Sequence, residues 1–178
     1  FELEFEYKIS GGGNSGLQYR SHFIDPAQFI MSGYQADIDG SLKYSGSVYE
    51  EKGRGMLAER GQRVTIDSSG AKKVEDLGDS AQLASALKPN DWNHCRVVAI
   101  GNRLSHYYNS QLMSEVVDDE ATKSSRTGLI GFQLHRGEPM QVQFRDVRLK
   151  RFPVALVSET LADNSPSAKL GATVPARN

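Results

Sequence analysis

Apolar side chains fall at every second position in one segment after another of this chain. Over residues 1–9, Phe1, Leu3, Phe5, Tyr7 and Ile9 alternate with Glu2, Glu4, Glu6 and Lys8. Successive side chains of a strand point to opposite faces, so this pattern specifies a half-buried antiparallel strand and no amphipathic helix. The alternation returns at 17–23, where Leu17, Tyr19 and Phe23 oppose Gln18, Arg20 and His22. Further strands are expected over 33–39, 47–50, 62–67, 95–100, 103–109, 128–135 and 140–152. Glycine-rich and polar stretches such as 11–16 and 40–46 separate them as turns. About ten short strands with little else imply an all-β sandwich, most simply a jelly roll. The one helical signal is Asp79 to Leu87, with Asp79 or Ser80 as cap, Leu83 and Leu87 four apart, and Pro89 as the stop.

Several local features carry specific expectations. Cys95 is the only cysteine, which excludes an intrachain disulfide and a cysteine-based zinc cluster; its alternating neighbours make it a small buried hydrophobe. Residues 95–100 are apolar on both sides, as in a strand covered on two faces. Trp92, at the start of that strand, is expected to plug the core. Residues 50–56 are charged and glycine-rich and read as a surface loop. In the last strand Met140, Val142 and Phe144 are even-numbered while Val147 and Leu149 are odd, and one extra residue near Arg145-Asp146, a β-bulge, reconciles the two halves. After Phe152 the composition turns to Ala, Ser, Pro and Asn without a sustained period, so one domain over 1–152 is followed by a tail or linker over 153–178.

Lys plus Arg is 21 and Asp plus Glu is 22, for a formal net charge of −1. This leaves no basic surplus to neutralise phosphates, and nucleic acid is not an expected partner. No apolar run approaches the roughly 20 residues of a membrane helix. Gly11-Gly12-Gly13 precedes no helix and no Lys-Ser/Thr pair, which excludes a phosphate loop. The sequence specifies no oligomeric state.

The faces opposite the apolar rows hold amide, guanidinium, imidazole and carboxylate groups, a set suited to sugar hydroxyls, which both donate and accept. Gln35, Asp37 and Asp39 share one such face; Gln133 and His135 share another, opposite Ile130, Phe132 and Leu134. His135, with an ordinary pKa of about 6.5, suits proton transfer near neutral pH, or is a hydrogen-bonded histidine at a strand end. Asp37 is the best carboxylate candidate, as a base or as a ligand to a divalent cation; no ligand spacing requires that cation, and no other cofactor is indicated. Arg20 and Arg145 could orient hydroxyls or hold developing negative charge, or pair with carboxylates on neighbouring strands. Gln35 and Gln133 would bind substrate, since an amide does not titrate in the useful range. Tyr49 could stack on a sugar ring, and Glu51 with Arg54 could form a rim. His22, His94 and His106 have no comparable setting and read as structural. The glutamates of Glu2-Leu3-Glu4-Phe5-Glu6 superficially match the acidic strand of retaining β-glucanases, but the aspartate expected between them is missing and the strand is expected at a sheet edge.

In order along the chain stand Asn14-Ser15-Gly16 with Arg20, Gly33-Tyr34-Gln35-Ala36-Asp37-Ile38, Gly46 with Tyr49-Glu50-Glu51 and Arg54, Asp91-Trp92-Asn93, Gly131-Phe132-Gln133-Leu134-His135-Arg136-Gly137, and Val142-Gln143-Phe144-Arg145-Asp146-Val147. In this order they resemble the bacterial 3-keto-disaccharide hydrolase domain family over roughly residues 1–152. Two places depart from the common pattern: Tyr34-Gln35-Ala36-Asp37 stands where many members have Tyr-Glu-x-Gln, and Asn109-Ser110 where many have Asn-Gly. The resemblance implies a concanavalin A-like jelly roll, exported to the periplasm or beyond the cell. It also implies action on glycosides whose C3 hydroxyl is already a ketone. Such a ketone acidifies the C2 proton; a base removes it, the C1 group leaves, and water adds. That route needs a base, an acid and a means of holding enolate charge, and not two carboxylates at glycosidase spacing. The alternatives are a carbohydrate-binding domain without catalysis and a structural module of a surface protein, since fold alone does not give function.

Overall fold

The computed structural model describes residues 1–153. The expected tail, from residue 154 onward, lies outside them. Twelve strands and one short helix follow in the order β1 (Glu2–Ile9), β2 (Asn14–Asp25), β3 (Ile30–Asp39), β4 (Val48–Glu51), β5 (Gly55–Ala58), β6 (Gln62–Ile66), β7 (Lys72–Asp76), α1 (Ser80–Ala84), β8 (Asn93–Ile100), β9 (Arg103–Tyr108), β10 (Gln111–Asp118), β11 (Leu129–Leu134) and β12 (Val142–Lys150). They form two sheets, a seven-stranded one ordered β12-β1-β8-β9-β10-β6-β7 and a five-stranded one ordered β11-β2-β3-β4-β5. The fold is the expected jelly-roll sandwich.

The inward rows of the alternating strands meet between the sheets. Phe5, Tyr7, Cys95, Val97 and Tyr108 from the larger sheet and Leu17, Tyr19, Tyr34, Ala36 and Ile38 from the smaller are all nearly inaccessible. Burial pushes the Cys95 thiol up to about 12, so it stays a neutral, inert hydrophobe. Asp79 caps α1 by accepting the Gln82 amide, and Leu87 just beyond it is buried, as its spacing implies.

Four expectations change. β8 is buried on one face only, because Val98 and Ile100 lie on the outer side of its sheet. Trp92 is half-buried under Arg145, whose guanidinium stacks 3.9 Å from its ring, and does not plug the core. β1 is no edge strand: it lies between β12 and β8, and Glu2 and Glu6 bond across it to Arg96 at 3.1 Å and Arg145 at 2.5 Å. Residues 50–56 are only partly a surface loop: Lys52 and Gly53 are exposed at a turn, but the side chains of Glu50 and Arg54, each 10% exposed, lie between the sheets. There Arg54 bonds Glu50 at 2.6 Å, Asp118 at 2.6 Å and Glu120 at 2.9 Å, and Asp118 also accepts from the Tyr34 hydroxyl. One guanidinium thus ties β4 of the small sheet to the end of β10 in the large one.

The bulge expected near Arg145-Asp146 is present. Two residues of β12, Asp146 and Val147, oppose one of β1, Phe5, between the Glu4–Arg148 and Glu6–Arg145 pairs, and Asp146 takes φ +52°. A second bulge interrupts β2: Arg20 takes φ +50°, and β2 uses one more residue than β3 between the Tyr19–Tyr34 and His22–Ser32 pairs. Gly33, with φ +149°, lies against this bulge, where a Cβ would come within 2.6 Å of the Ser21 Cα.

His106 is a core histidine. Its Nε2 lies 2.8 Å from the Tyr19 hydroxyl and its Nδ1 3.1 Å from the Ser47 carbonyl, while burial lowers its pKa to about 4. The unfolded chain gains this proton near pH 6.5 and the folded chain only near 4, so protonation favours unfolding. Stability contributed by neutral His106 is therefore full above about pH 6.5, is lost as pH falls, and costs about 2–3 kcal/mol by pH 4.5. Chemical denaturation at pH 7.5 and 4.5 checks this: His106→Gln should lose clearly less stability between the two than the wild type.

Candidate functional site

On the small sheet the register brings the outward residues of four strands together. Gln18 pairs with Gln35, Gly16 with Asp37 and Asn14 with Asp39 across β2 and β3. Gln35 pairs with Tyr49 across β4, and Gln133 with Gly16 across β11. Asn14, Gln35, Asp37, Tyr49 and Gln133 line an open hollow of about 300 Å³ together with Tyr44, Glu51, Met56 and His135. Among the described residues no lysine or arginine lines it.

A chain of amides runs along its floor. Gln18 Nε2 donates to Gln35 Oε1 at 3.1 Å. Gln35 Nε2 donates to Asp37 Oδ1 at 2.7 Å and, more weakly, to Gln133 Oε1 at 3.3 Å. Gln133 Nε2 points in turn at Glu51 Oε2, at 3.4 Å. Gly16 makes the central contact feasible: a Cβ there would fall 2.8 Å from Gln35 Nε2 and 2.6 Å from its Cδ. A side chain at position 16 would push the Gln35 amide away from Asp37.

Asp37 is buried, at 7% exposure, and its pKa is raised to about 7. Burial is the largest cause; the Gln35 hydrogen bond opposes it, and the nearby charges of Glu51 and Asp39 add to it. No guanidinium among the described residues lines the hollow, so only the Gln35 hydrogen bond opposes the desolvation of the carboxylate. Asp37 therefore exchanges a proton in the neutral range, as a general base or acid requires. Asp39, two residues on, is a loop anchor: it accepts from the Ser41 hydroxyl and from the amides of Ser41, Lys43 and Tyr44. His135 lies on the rim just past β11, with its ring exposed.

Of the residues singled out from the sequence, Asp37, His135, Gln35, Gln133, Tyr49 and Glu51 share the hollow. Three arginines lie elsewhere, each for an identifiable reason. The β2 bulge turns Arg20 off the Gln18 face; it is buried and donates to the carbonyls of Gly101 at 2.8 Å and Ser125 at 3.1 Å. Arg54 is consumed by its three carboxylates between the sheets. Arg145 belongs to β12 on the other sheet and pairs with Glu6. Asn14, Tyr44 and Met56 complete the lining. Alternation from Gln18 points to Asn14, whereas Tyr44 in the β3–β4 connection and Met56 on β5 reach the hollow only through the fold. Among the described residues no group of three His, Cys, Asp or Glu side chains is arranged to hold a metal ion, so Asp37 has no partners there for a cation.

Ile130, Phe132 and Leu134, on the opposite face of β11, stand at the open edge of the sandwich. Phe132 stacks on Phe144 at 4.0 Å and meets Phe5 edge-on at 5.1 Å, but Leu134 is 76% exposed. The inward row holds β11 in register and leaves Gln133 and His135 facing the hollow.

Comparison with curated proteins yields no match. Among solved structures, a candidate glycosyl hydrolase from Parabacteroides distasonis is similar at 19% identity, with TM-score 0.45, over 82% of this chain and 75% of that one. The carbohydrate binding module CBM66 from Bacillus subtilis is similar at 17% identity, with TM-score 0.44, over 82% and 73%. Residues 1–150 match the model of the 3-keto-alpha-glucoside-1,2-lyase-like domain, and the chain belongs to that family, the one its ordered motifs resemble.

Proposed function

We propose that the protein cleaves 3-keto-glycosides by elimination followed by hydration. The observation that carries this reading is Asp37, a buried carboxyl titrating near neutrality on the floor of an open hollow lined with amides. Asp37 takes the C2 proton, and the electron pair moves onto the C3 ketone oxygen as an enolate. The enolate collapses, the C1–O bond breaks, and the leaving oxygen receives a proton from His135. Water then adds across the resulting C1–C2 double bond, hydroxyl to C1 and proton to C2, to give net hydrolysis. The enolate oxygen is met by neutral donors, the amides of Gln133 and Asn14, because no cationic side chain among the described residues lines the hollow. Neutral donors hold a developing anion without lowering the pKa of the base beside it.

A carbohydrate-binding domain without catalysis would use the same open hollow and the tyrosines at its rim. It would gain nothing from a desolvated carboxyl held near pH 7, which is why catalysis is preferred. The family resemblance supports work in the periplasm or outside the cell; no helix among the described residues is long and apolar enough to cross a membrane.

The test is incubation with an aryl 3-keto-glucoside while following release of the phenol. Wild-type protein should release it catalytically, and His135→Ala should be slower by about 10²-fold, as for loss of one proton-transfer group. Binding of glycans with no turnover by the wild type would establish the binding domain instead. A full rate in His135→Ala would remove that residue from the proton relay.

A further inference from the structure

The hollow does not end at Gln133. A second depression of about 370 Å³ adjoins it, sharing Gln133 and Glu51 as a common wall and continuing past Gln18, Gln28, Phe29 and Met31. Phe29 is 80% exposed and adopts φ +55°, a left-handed conformation that a phenylalanine rarely takes. Neither property stabilises the fold, since burying the ring or placing glycine there would be more favourable.

The turn that presents Phe29 is nevertheless built firmly. Asp25 caps the one-turn 3-10 helix Pro26–Gln28 by accepting the amides of Ala27 at 3.0 Å and Gln28 at 3.2 Å, and it also holds the Gln28 side chain at 2.9 Å. Pro26 fixes the first dihedral, and the Phe29 amide closes the turn on the Pro26 carbonyl. An aromatic ring held in water on a rigid support, next to side-chain amides, matches the needs of a pyranose. The C–H face of the sugar packs on the ring, and its equatorial hydroxyls reach Gln28, Gln18 and Gln133.

We infer that Phe29 is a specificity-determining residue: it forms the floor of a second subsite that seats the leaving-group ring of a disaccharide while the oxidised ring occupies the hollow over Asp37. This rests on the proposed 3-keto-glycoside cleavage and adds the position and chemistry of the leaving-group site. A methyl aglycone does not reach Phe29; a second pyranose does.

The experiment compares wild type, Phe29→Ala and Phe29→Trp on methyl 3-keto-glucoside and on a 3-keto-glucosyl-glucose, and titrates the three proteins with the unoxidised disaccharide and with methyl glucoside. Phe29→Ala should lose about tenfold or more in kcat/KM on the disaccharide and stay within about twofold on the methyl glycoside, as removal of one stacking contact predicts. Phe29→Trp should keep the disaccharide rate. Equal losses on both substrates, or no loss on either, overturn the subsite while leaving the cleavage reaction in place. If the wild type turns over neither substrate, the cleavage reading fails and binding decides. A selective tenfold weakening of disaccharide binding in Phe29→Ala then upholds the subsite, and unchanged binding overturns it. Because the ring is exposed, the variants should unfold at the wild-type temperature, which separates a binding effect from a folding one.

Discussion

Asp37→Asn should abolish most of the turnover of a 3-keto-glycoside, by about 10²–10⁴-fold in kcat, and at the same time make the protein more stable at pH 8. The first effect follows from removing the base that takes the C2 proton. The second follows from linkage. In the unfolded chain Asp37 ionises near 3.8; in the folded protein burial, against the Gln35 hydrogen bond and with Glu51 and Asp39 adding to it, delays this to about 7. A group with a raised folded pKa contributes stability below its unfolded pKa and loses it as pH rises to the folded one. Between pH 3.8 and 7 the unfolded chain therefore holds fewer protons, and the penalty grows to an upper bound of about 4 kcal/mol. Asparagine is neutral and can still accept from Gln35, so the substitution removes the penalty without opening a cavity. Denaturation of wild type and variant at pH 5 and pH 8 tests this directly: the gap should widen toward pH 8. A gap that narrows or reverses would show that Asp37 is not held protonated in the fold. In wild-type kinetics the same ionisation should appear as a rise in kcat/KM with pH centred near 7.

The largest stability effect belongs to Arg54. It serves Glu50, Asp118 and Glu120 together, at 10% side-chain exposure, with Asp118 fully buried. Burial alone would lower the Arg54 pKa, but the hydrogen bonds it donates to Asp118 and Glu50 raise it well above its ordinary value. Asp118 moves the other way: burial would raise it, and the Arg54 and Tyr34 hydrogen bonds hold it below the usual carboxylate range. Arg54→Met keeps most of the volume and leaves carboxylates facing one another between the sheets. Breaking a buried pair in this way costs about 3–5 kcal/mol. In the wild type the Asp118 contribution is present above the ordinary carboxylate pKa and is lost as pH falls through its lowered folded value. In the variant the sign inverts, because protonation relieves the repulsion. The deficit measured by denaturation at pH 7 should therefore shrink by pH 4.5, and a deficit independent of pH would assign the loss to packing rather than to charge.

Much of the sandwich was legible in the chain. The alternation over residues 1–9 places Leu3, Phe5, Tyr7 and Ile9 inward, where the structure buries them, and the parity change after Phe144 locates the β12 bulge. Three strands, β5, β7 and β10, were not anticipated. β7 is exposed throughout, Lys72 to Asp76, and carries little apolar pattern to read. The polar residues of the hollow were legible for the same reason as the core: Gln35, Asp37, Gln133 and His135 are the outward partners of inward rows. The arginines were not. The β2 bulge that redirects Arg20 lacks the parity signal seen in β12, because Phe23 beyond it is 41% exposed and the inward row ends there. Arg54 looks solvated in a Gly-Arg-Gly setting, and only the arrival of Asp118 at the end of β10 in the other sheet, and of Glu120 just beyond it, buries it.

This redistribution of charge decides the chemistry. With Arg20 or Arg145 beside it, as their polar strand faces suggested, Asp37 would be held ionised well below neutral pH and would be a weak base. By itself the sequence determined the strand faces, since alternation is a property of adjacent residues, and with them the set of amides and carboxylates on one side of the small sheet. Only the tertiary structure decided which charges lie near which. A pKa depends on neighbours brought together from distant parts of the chain and on the water they exclude, and nothing local to Tyr34-Gln35-Ala36-Asp37 records that no cation among the described residues stands beside its carboxyl.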